Sequence, residues 1–331
     1  MSNMIGHQQA WARVTRAVAA GQISHAYLFT GPEFIGKTTL ALELTKLLLC
    51  ERSDVAADAP CGVCAACRKV AHGNHPDLML VAPEEGKRLL GVEIAREFVV
   101  RLANLAPSAG SWRVFILPDV ERMTPQTVNA LLKTLEEPPA SVVLLLTSAE
   151  PENLLPTLLS RCQVIPLQPL TPHEIAVALE ESWHASPAEA RELAALANGR
   201  LGWAVRALEK PELREERAHH IEQIVTLAAA PRDVRLKAAA GFSSDGDTAR
   251  RVLDVWTLWW RDVTLAACGA SHLTSTGTAR REAERQGQAL GCPRAEAFLR
   301  KLIEAQAALD ANANPRLTLE VLMLDLPRLG H

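Results

Sequence analysis

Eight consecutive residues, Gly31-Pro32-Glu33-Phe34-Ile35-Gly36-Lys37-Thr38, match the pattern G-x-x-x-x-G-K-[ST] in full and restrict what this chain of 331 residues can fold into. A loop of this kind needs a strand before it and a helix after it. Its glycines let successive backbone N–H groups turn into one anion-sized hollow, and the helix N-terminus adds partial positive charge. Both neighbours are legible, since Ala26 to Thr30 is an apolar run and Lys37 to Leu49 has helical spacing. The loop therefore predicts nucleotide binding, with Gly31, Gly36 and Lys37 on the phosphates of ATP and the Thr38 hydroxyl on Mg²⁺. The bland alternative is a glycine-rich turn that caps a helix.

Three more apolar runs bounded by turn residues predict strands at Leu78 to Ala82, Val114 to Leu117 and Val142 to Thr147. Helical spacing at Val92 to Leu102 and Pro125 to Glu137 separates them, the last stopped by Pro138 and Pro139. Strands alternating with helices predict an α/β domain with a parallel sheet over residues 1–168. Beyond Leu167 the strand-like runs cease. Thr171-Pro172-His173-Glu174 and Ser186-Pro187-Ala188-Glu189 read as two helix starts, and Asn198-Gly199 as a stop, so residues 169–209 form a small helical domain. Residues 210–331, after the break at Pro211, are helical in pattern and make an all-α domain. Abundant Ala and Leu with a single Tyr agree with a helix-rich chain.

Thirty-five Lys and Arg against 38 Asp and Glu exclude a surface that grips nucleic acid everywhere, leaving only a local basic face. Arg96 and Arg101 are candidates for such a face, but a solvated helix face is the better reading, and no residue is assigned to DNA. The sequence has no apolar stretch of about 18 residues and no leader-like N-terminal pattern, so the expectation is a soluble, cytoplasmic protein with no membrane contact.

Hydrolysis by such a loop requires an acidic residue at the end of a neighbouring strand. The candidate, Arg113 to Glu121, carries Pro118-Asp119 where a paired Asp-Glu would supply one carboxylate for Mg²⁺ and one to polarise water. Only Asp119 remains, so the metal carboxylate is degenerate.

Cys50, Cys61, Cys64 and Cys67 fall within 18 residues. The last three form C-x2-C-x2-C, a spacing suited to thiolates converging on one structural Zn²⁺, with an iron–sulfur cluster or unrelated free thiols as alternatives. Cys162, Cys268 and Cys292 stand apart and read as packing residues.

Taken together, the phosphate loop, the cysteine insertion after its helix, Gly73-Asn74-His75-Pro76-Asp77, Asn129 to Pro139 and Ser160-Arg161-Cys162 resemble bacterial clamp-loader subunits of the AAA+ class, over about residues 4–210. The resemblance implies an AAA+ P-loop domain, a helical lid and a C-terminal collar in a five-membered ring. Its expected partners are the gamma or tau motor subunits and the delta subunit of the DNA polymerase III holoenzyme, the sliding clamp, and primed DNA held without sequence preference. Two departures from the motor pattern imply a non-hydrolysing end-subunit rather than a motor. Pro118 replaces the metal-binding aspartate, and Gly202 stands where the motor's lid has an arginine. Arg161 is retained, and the resemblance implies that it reaches the ATP of a neighbouring subunit.

Overall fold

A computed structural model describes residues 4–52, 59–81, 107–108, 111–243, 245–274, 278–311 and 313–328. The expected helix at Val92 to Leu102, with Arg96 and Arg101, lies outside them, as does Ala82 at the end of the second expected strand. The chain divides into two compact units, Met1–Val205 and Arg206–His331.

The first unit is built on five parallel strands, β1 (Ala26–Thr30), β2 (Leu78–Leu80), β3 (Arg113–Leu117), β4 (Val142–Ser148) and β5 (Gln163–Pro166), in the order β2-β3-β4-β1-β5. The central strands read as unbroken apolar runs because both faces of a parallel sheet are covered. Alternate residues feed the two sides. Leu28, Phe115, Leu144 and Leu146 pack with Leu131 and Leu135 of α4 (Pro125–Glu136) and with Leu158 of α5 (Pro156–Leu159). Tyr27, Phe29, Val114, Ile116, Val143 and Leu145 pack with Leu40, Ala41 and Leu44 of α2 (Lys37–Leu49) and with Val14 of α1 (Gln8–Ala19). The unpredicted fifth strand lies at the edge of the sheet and, among the described residues, pairs only with β1. It ends in a proline and begins with a polar residue, so it lacks the apolar run of the others.

A short helix, α3 (Ala65–Ala71), leads into the segment Gly73 to Asp77, and that segment has a structural job. Asp77 is 1% exposed. Its Oδ1 accepts from Ser108 N–H at 2.7 Å and from the buried Arg113 guanidinium at 3.3 Å, while its own N–H donates to His75 Nδ1 at 3.1 Å. This buried pair ties the cysteine insertion to β3. Removing one partner leaves an uncompensated charge, so Asp77→Ala is expected to cost about 3 kcal/mol, read as a lower denaturant midpoint for the first unit.

Two helices with the expected starts complete the first unit. In α6 (Pro172–Trp183) Thr171 and Glu174 form a reciprocal capping box. In α7 (Pro187–Ala197) Ser186 accepts from Glu189 N–H, and Asn198 ends the helix at φ +50°. The unit boundary falls within α8 (Leu201–Glu209).

The second unit is wholly helical among the described residues, with α9 (Glu212–Ala229), α10 (Arg232–Phe242), α11 (Gly246–Ala267), α12 (Thr278–Leu290), α13 (Cys292–Asp310) and α14 (Pro315–Asp325). Tryptophans of α11 form its centre. Trp256 meets Phe242 edge-on and donates to His220 O at 2.9 Å, while Trp260 does the same with Phe298 and Ala295 O at 3.1 Å. One sequence expectation fails here. Cys268 and Cys292 are not separate packing residues but a disulfide pair with Cα atoms 5.0 Å apart. Helix packing brings together two cysteines whose separation of 24 residues carries no motif.

Candidate functional site

The phosphate loop leaves β1 and enters α2, with Gly31 at φ +140° and Gly36 at φ +114°. A Cβ on Gly31 would sit 2.9 Å from Leu167 O, so the turn requires glycine there. Lys37 is buried, and its ammonium donates to Gly31 O at 2.7 Å and Pro32 O at 3.0 Å, spanning the loop it belongs to. Burial pulls the Lys37 ammonium below its usual range, and Asp119, Glu121 and Glu33 oppose that pull. Thr38 lies half-buried in the first turn of α2. His7, at the start of α1, contacts the loop through Nε2 and Ile35 O at 2.9 Å, a contact between residues 28 apart that no local motif signals.

Asp119 is brought to this loop, as its place after β3 leads one to expect. It adopts φ +49°, and its N–H donates to Thr147 Oγ1 at 3.0 Å. Its carboxylate faces Arg122 at 3.7 Å, and Arg122 in turn binds Glu33 of the phosphate loop at 2.5 Å. Arg122 thus links the loop to the carboxylate that would hold a metal, a role invisible in the pattern of β3. Glu121 was also passed over. Its Oε1 accepts from Ala149 N–H at 2.9 Å, and its Oε2 is buried without a hydrogen-bond partner.

From the lid side, Gly202 N–H donates to Phe34 O at 2.8 Å, docking α8 directly on the tip of the loop. A Cβ at Gly202 would lie 2.8 Å from that same oxygen. Any side chain here, arginine included, forces the lid away from the loop. Gly202→Ala is expected to cost about 1–3 kcal/mol through this overlap, seen as a lower melting temperature of the first unit by calorimetry.

Arg161 is not part of this cluster. It follows α5, where its Nη1 donates to Thr157 O at 2.9 Å and its Nη2 binds Glu136 at 2.8 Å. Its side chain is one-third exposed at 33%. Glu136 belongs to the segment Asn129 to Pro139, whose leucines fill the core while its carboxylate holds Arg161. Arg161 thus forms an ion pair at the end of a short helix while part of its side chain stays open to solvent.

The four cysteines converge. Cys50 ends α2, Cys61 and Cys64 lie in the loop beyond, and Cys67 is in the first turn of α3, with all four sulfurs within 4.8 Å of one another. The Cys50–Cys64 and Cys61–Cys67 sulfur separations are both 4.0 Å. Zn–S bonds of about 2.3 Å give tetrahedral edges of about 3.8 Å, so the set fits a tetrathiolate ion site. Backbone N–H groups of Val63 and Cys64 pull the Cys61 thiol down to about 6, favouring the thiolate, whereas burial pushes Cys67 up. Cys162, by contrast, is a packing thiol pushed up to about 12 by burial.

A glycine-rich phosphate loop, a parallel sheet and a helical lid define a P-loop domain of the AAA+ class. Residues 6–171 match the family described as DNA polymerase III, delta subunit, and the chain belongs to that family. It is 40% identical to the DNA polymerase III subunit delta' of Pseudomonas aeruginosa over 239 residues, 69% of this chain and 68% of that one. The delta' subunit of Bacillus subtilis is 35% identical over 209 residues, 62% of this chain and 60% of its own length. The tau subunit of Escherichia coli is 35% identical over 179 residues, 54% of this chain but only 27% of its own length. Among the described residues no helix is long and apolar enough to cross a membrane.

Proposed function

We propose that this chain is the delta'-type end-subunit of a clamp loader, joining gamma or tau and delta subunits in a ring that places a sliding clamp on primed DNA. In this reading it can hold a nucleotide in its own loop, hydrolyses none, and lends Arg161 to the ATP of an adjacent motor subunit. The observation that carries the reading is the state of its own phosphate site. Pro118 precedes the sole strand-end carboxylate, Asp119 faces Arg122, and the lid presents the Gly202 backbone instead of a cation. A transition state that spreads charge over the γ-phosphate would find neither a paired metal carboxylate nor a lid arginine. The delta' relatives match over longer stretches than the tau relative, which agrees with this choice. Cys50, Cys61, Cys64 and Cys67 would hold a structural Zn²⁺, which closes the coordination shell and supplies folding energy rather than chemistry.

Reconstitution tests the assembly claim. A mixture of motor subunits, delta, clamp and primed DNA should load clamps only when this chain is added, and loading that is indifferent to it would refute the proposal. One observation favours a second reading, an ATPase in its own right. Glu121 has an unpartnered buried oxygen beside Asp119 and Lys37 and would complete a carboxylate pair. That reading requires turnover by the isolated chain that disappears in Glu121→Gln.

A further inference from the structure

We infer that Cys268 and Cys292 are a reversible thiol–disulfide couple that exchanges electrons with small thiols of the glutathione class. Cys268 caps the C-terminal end of α11, and Cys292 is the first residue of α13. Their bond closes a segment that contains α12. The pair is held together by packing that does not depend on the bond. Gly287 of α12 lies so close to α11 that a Cβ would stand 2.7 Å from Ala267 N and 2.8 Å from Val263 O. On the other side, Trp260 of α11 grips α13 through Ala295 O and the edge-on Phe298 ring. After reduction the two thiols therefore remain neighbours, and re-closure is favoured by proximity.

The two sulfurs are not equivalent. Cys268 is exposed and Cys292 half-buried. Cys292 also sits at the N-terminus of a 19-residue helix, where partial positive charge favours a departing thiolate. A glutathione thiolate attacks the Cys268 sulfur, forming a new S–S bond, while the electron pair of the old bond leaves on Cys292 as its thiolate. A second glutathione thiolate attacks the glutathione sulfur of this adduct and frees Cys268, so that one protein disulfide and two glutathiones become two thiols and one glutathione disulfide. Oxidation runs the same steps backwards. Cys268 takes the glutathionyl group from glutathione disulfide, and the Cys292 thiolate then expels it. The consequence for the fold is a staple across α11, α12 and α13 that opens and closes with the thiol balance.

The test equilibrates the full chain over a series of glutathione to glutathione disulfide ratios, quenches with acid and maps peptides by mass spectrometry, with bound metal measured alongside to account for the other cysteines. The 268–292 linkage is expected to titrate with the ratio, and oxidation to raise the melting temperature of the second unit by about 10 °C. Cys292→Ser should accumulate glutathione on Cys268 at least about ten-fold above the unsubstituted chain, while Cys268→Ser collects little on Cys292. Cys292→Ala and Cys268→Ala repeat the comparison should either serine variant lose its helical circular dichroism. A pair that stays wholly reduced or wholly oxidised at every ratio would overturn the inference, as would equal adducts on the two single variants.

Discussion

Arg161→Ala in the reconstituted assembly is expected to lower DNA-stimulated ATP turnover at the seam it serves by about 10³-fold, within the range an arginine supplied in trans commands. The loss should fall on kcat with little change in KM, because the guanidinium meets charge that develops only in the transition state. The geometry suits this role. Bonds to Glu136 and Thr157 fix one edge of the planar fork at the end of α5, so little freedom remains to be lost on docking, while a third of the side chain faces outward. Lys37→Ala in the same assembly should change turnover little if, as proposed, this chain's own loop takes no part in cleavage. The reverse ranking, with Lys37 essential and Arg161 dispensable, would place the chain among the motors.

The second large effect concerns the cysteine cluster. The purified chain should carry one equivalent of zinc, and Cys64→Ser should lose it. Tetrathiolate binding supplies on the order of 10 kcal/mol to order a segment with little core of its own. Without it, hydrogen exchange across residues 59–72 should rise by several orders of magnitude. The phosphate loop lies at the opposite end of α2, about 20 Å along the helix, so phosphate-site measurements should be spared. Protection of that segment in metal-free protein would show that packing by Val70 and the Asp77–Arg113 pair suffices alone.

What was legible in the sequence follows from where a local pattern carries the constraint. The phosphate loop, the central strands and the paired helix starts of the lid are set by glycines, unbroken apolar runs and caps within a few residues of one another. The cysteine cluster was readable for the same reason, being compact in sequence. Edge strand β5 was not, because its four residues offer only Val164 and Ile165, one to each side of the sheet, between a glutamine and a proline, too short an apolar run to stand out. Arg122, Glu136 and His7 were missed because each acts through a partner far along the chain, 89 residues in the case of Arg122 and Glu33. Cys268 and Cys292 looked isolated for the same reason, their meeting being a product of how α11, α12 and α13 pack. The segment around Asp77 was recognised as a resemblance, yet its purpose, a buried ion pair, emerged only once β3 was placed beside it.

The most direct measurement is ATP turnover by the isolated chain, freed of contaminating ATPases, set beside Lys37→Ala prepared in parallel. The account predicts that the two are indistinguishable from background at any Mg²⁺ concentration. Steady turnover by the unsubstituted chain that vanishes in Lys37→Ala would contradict it.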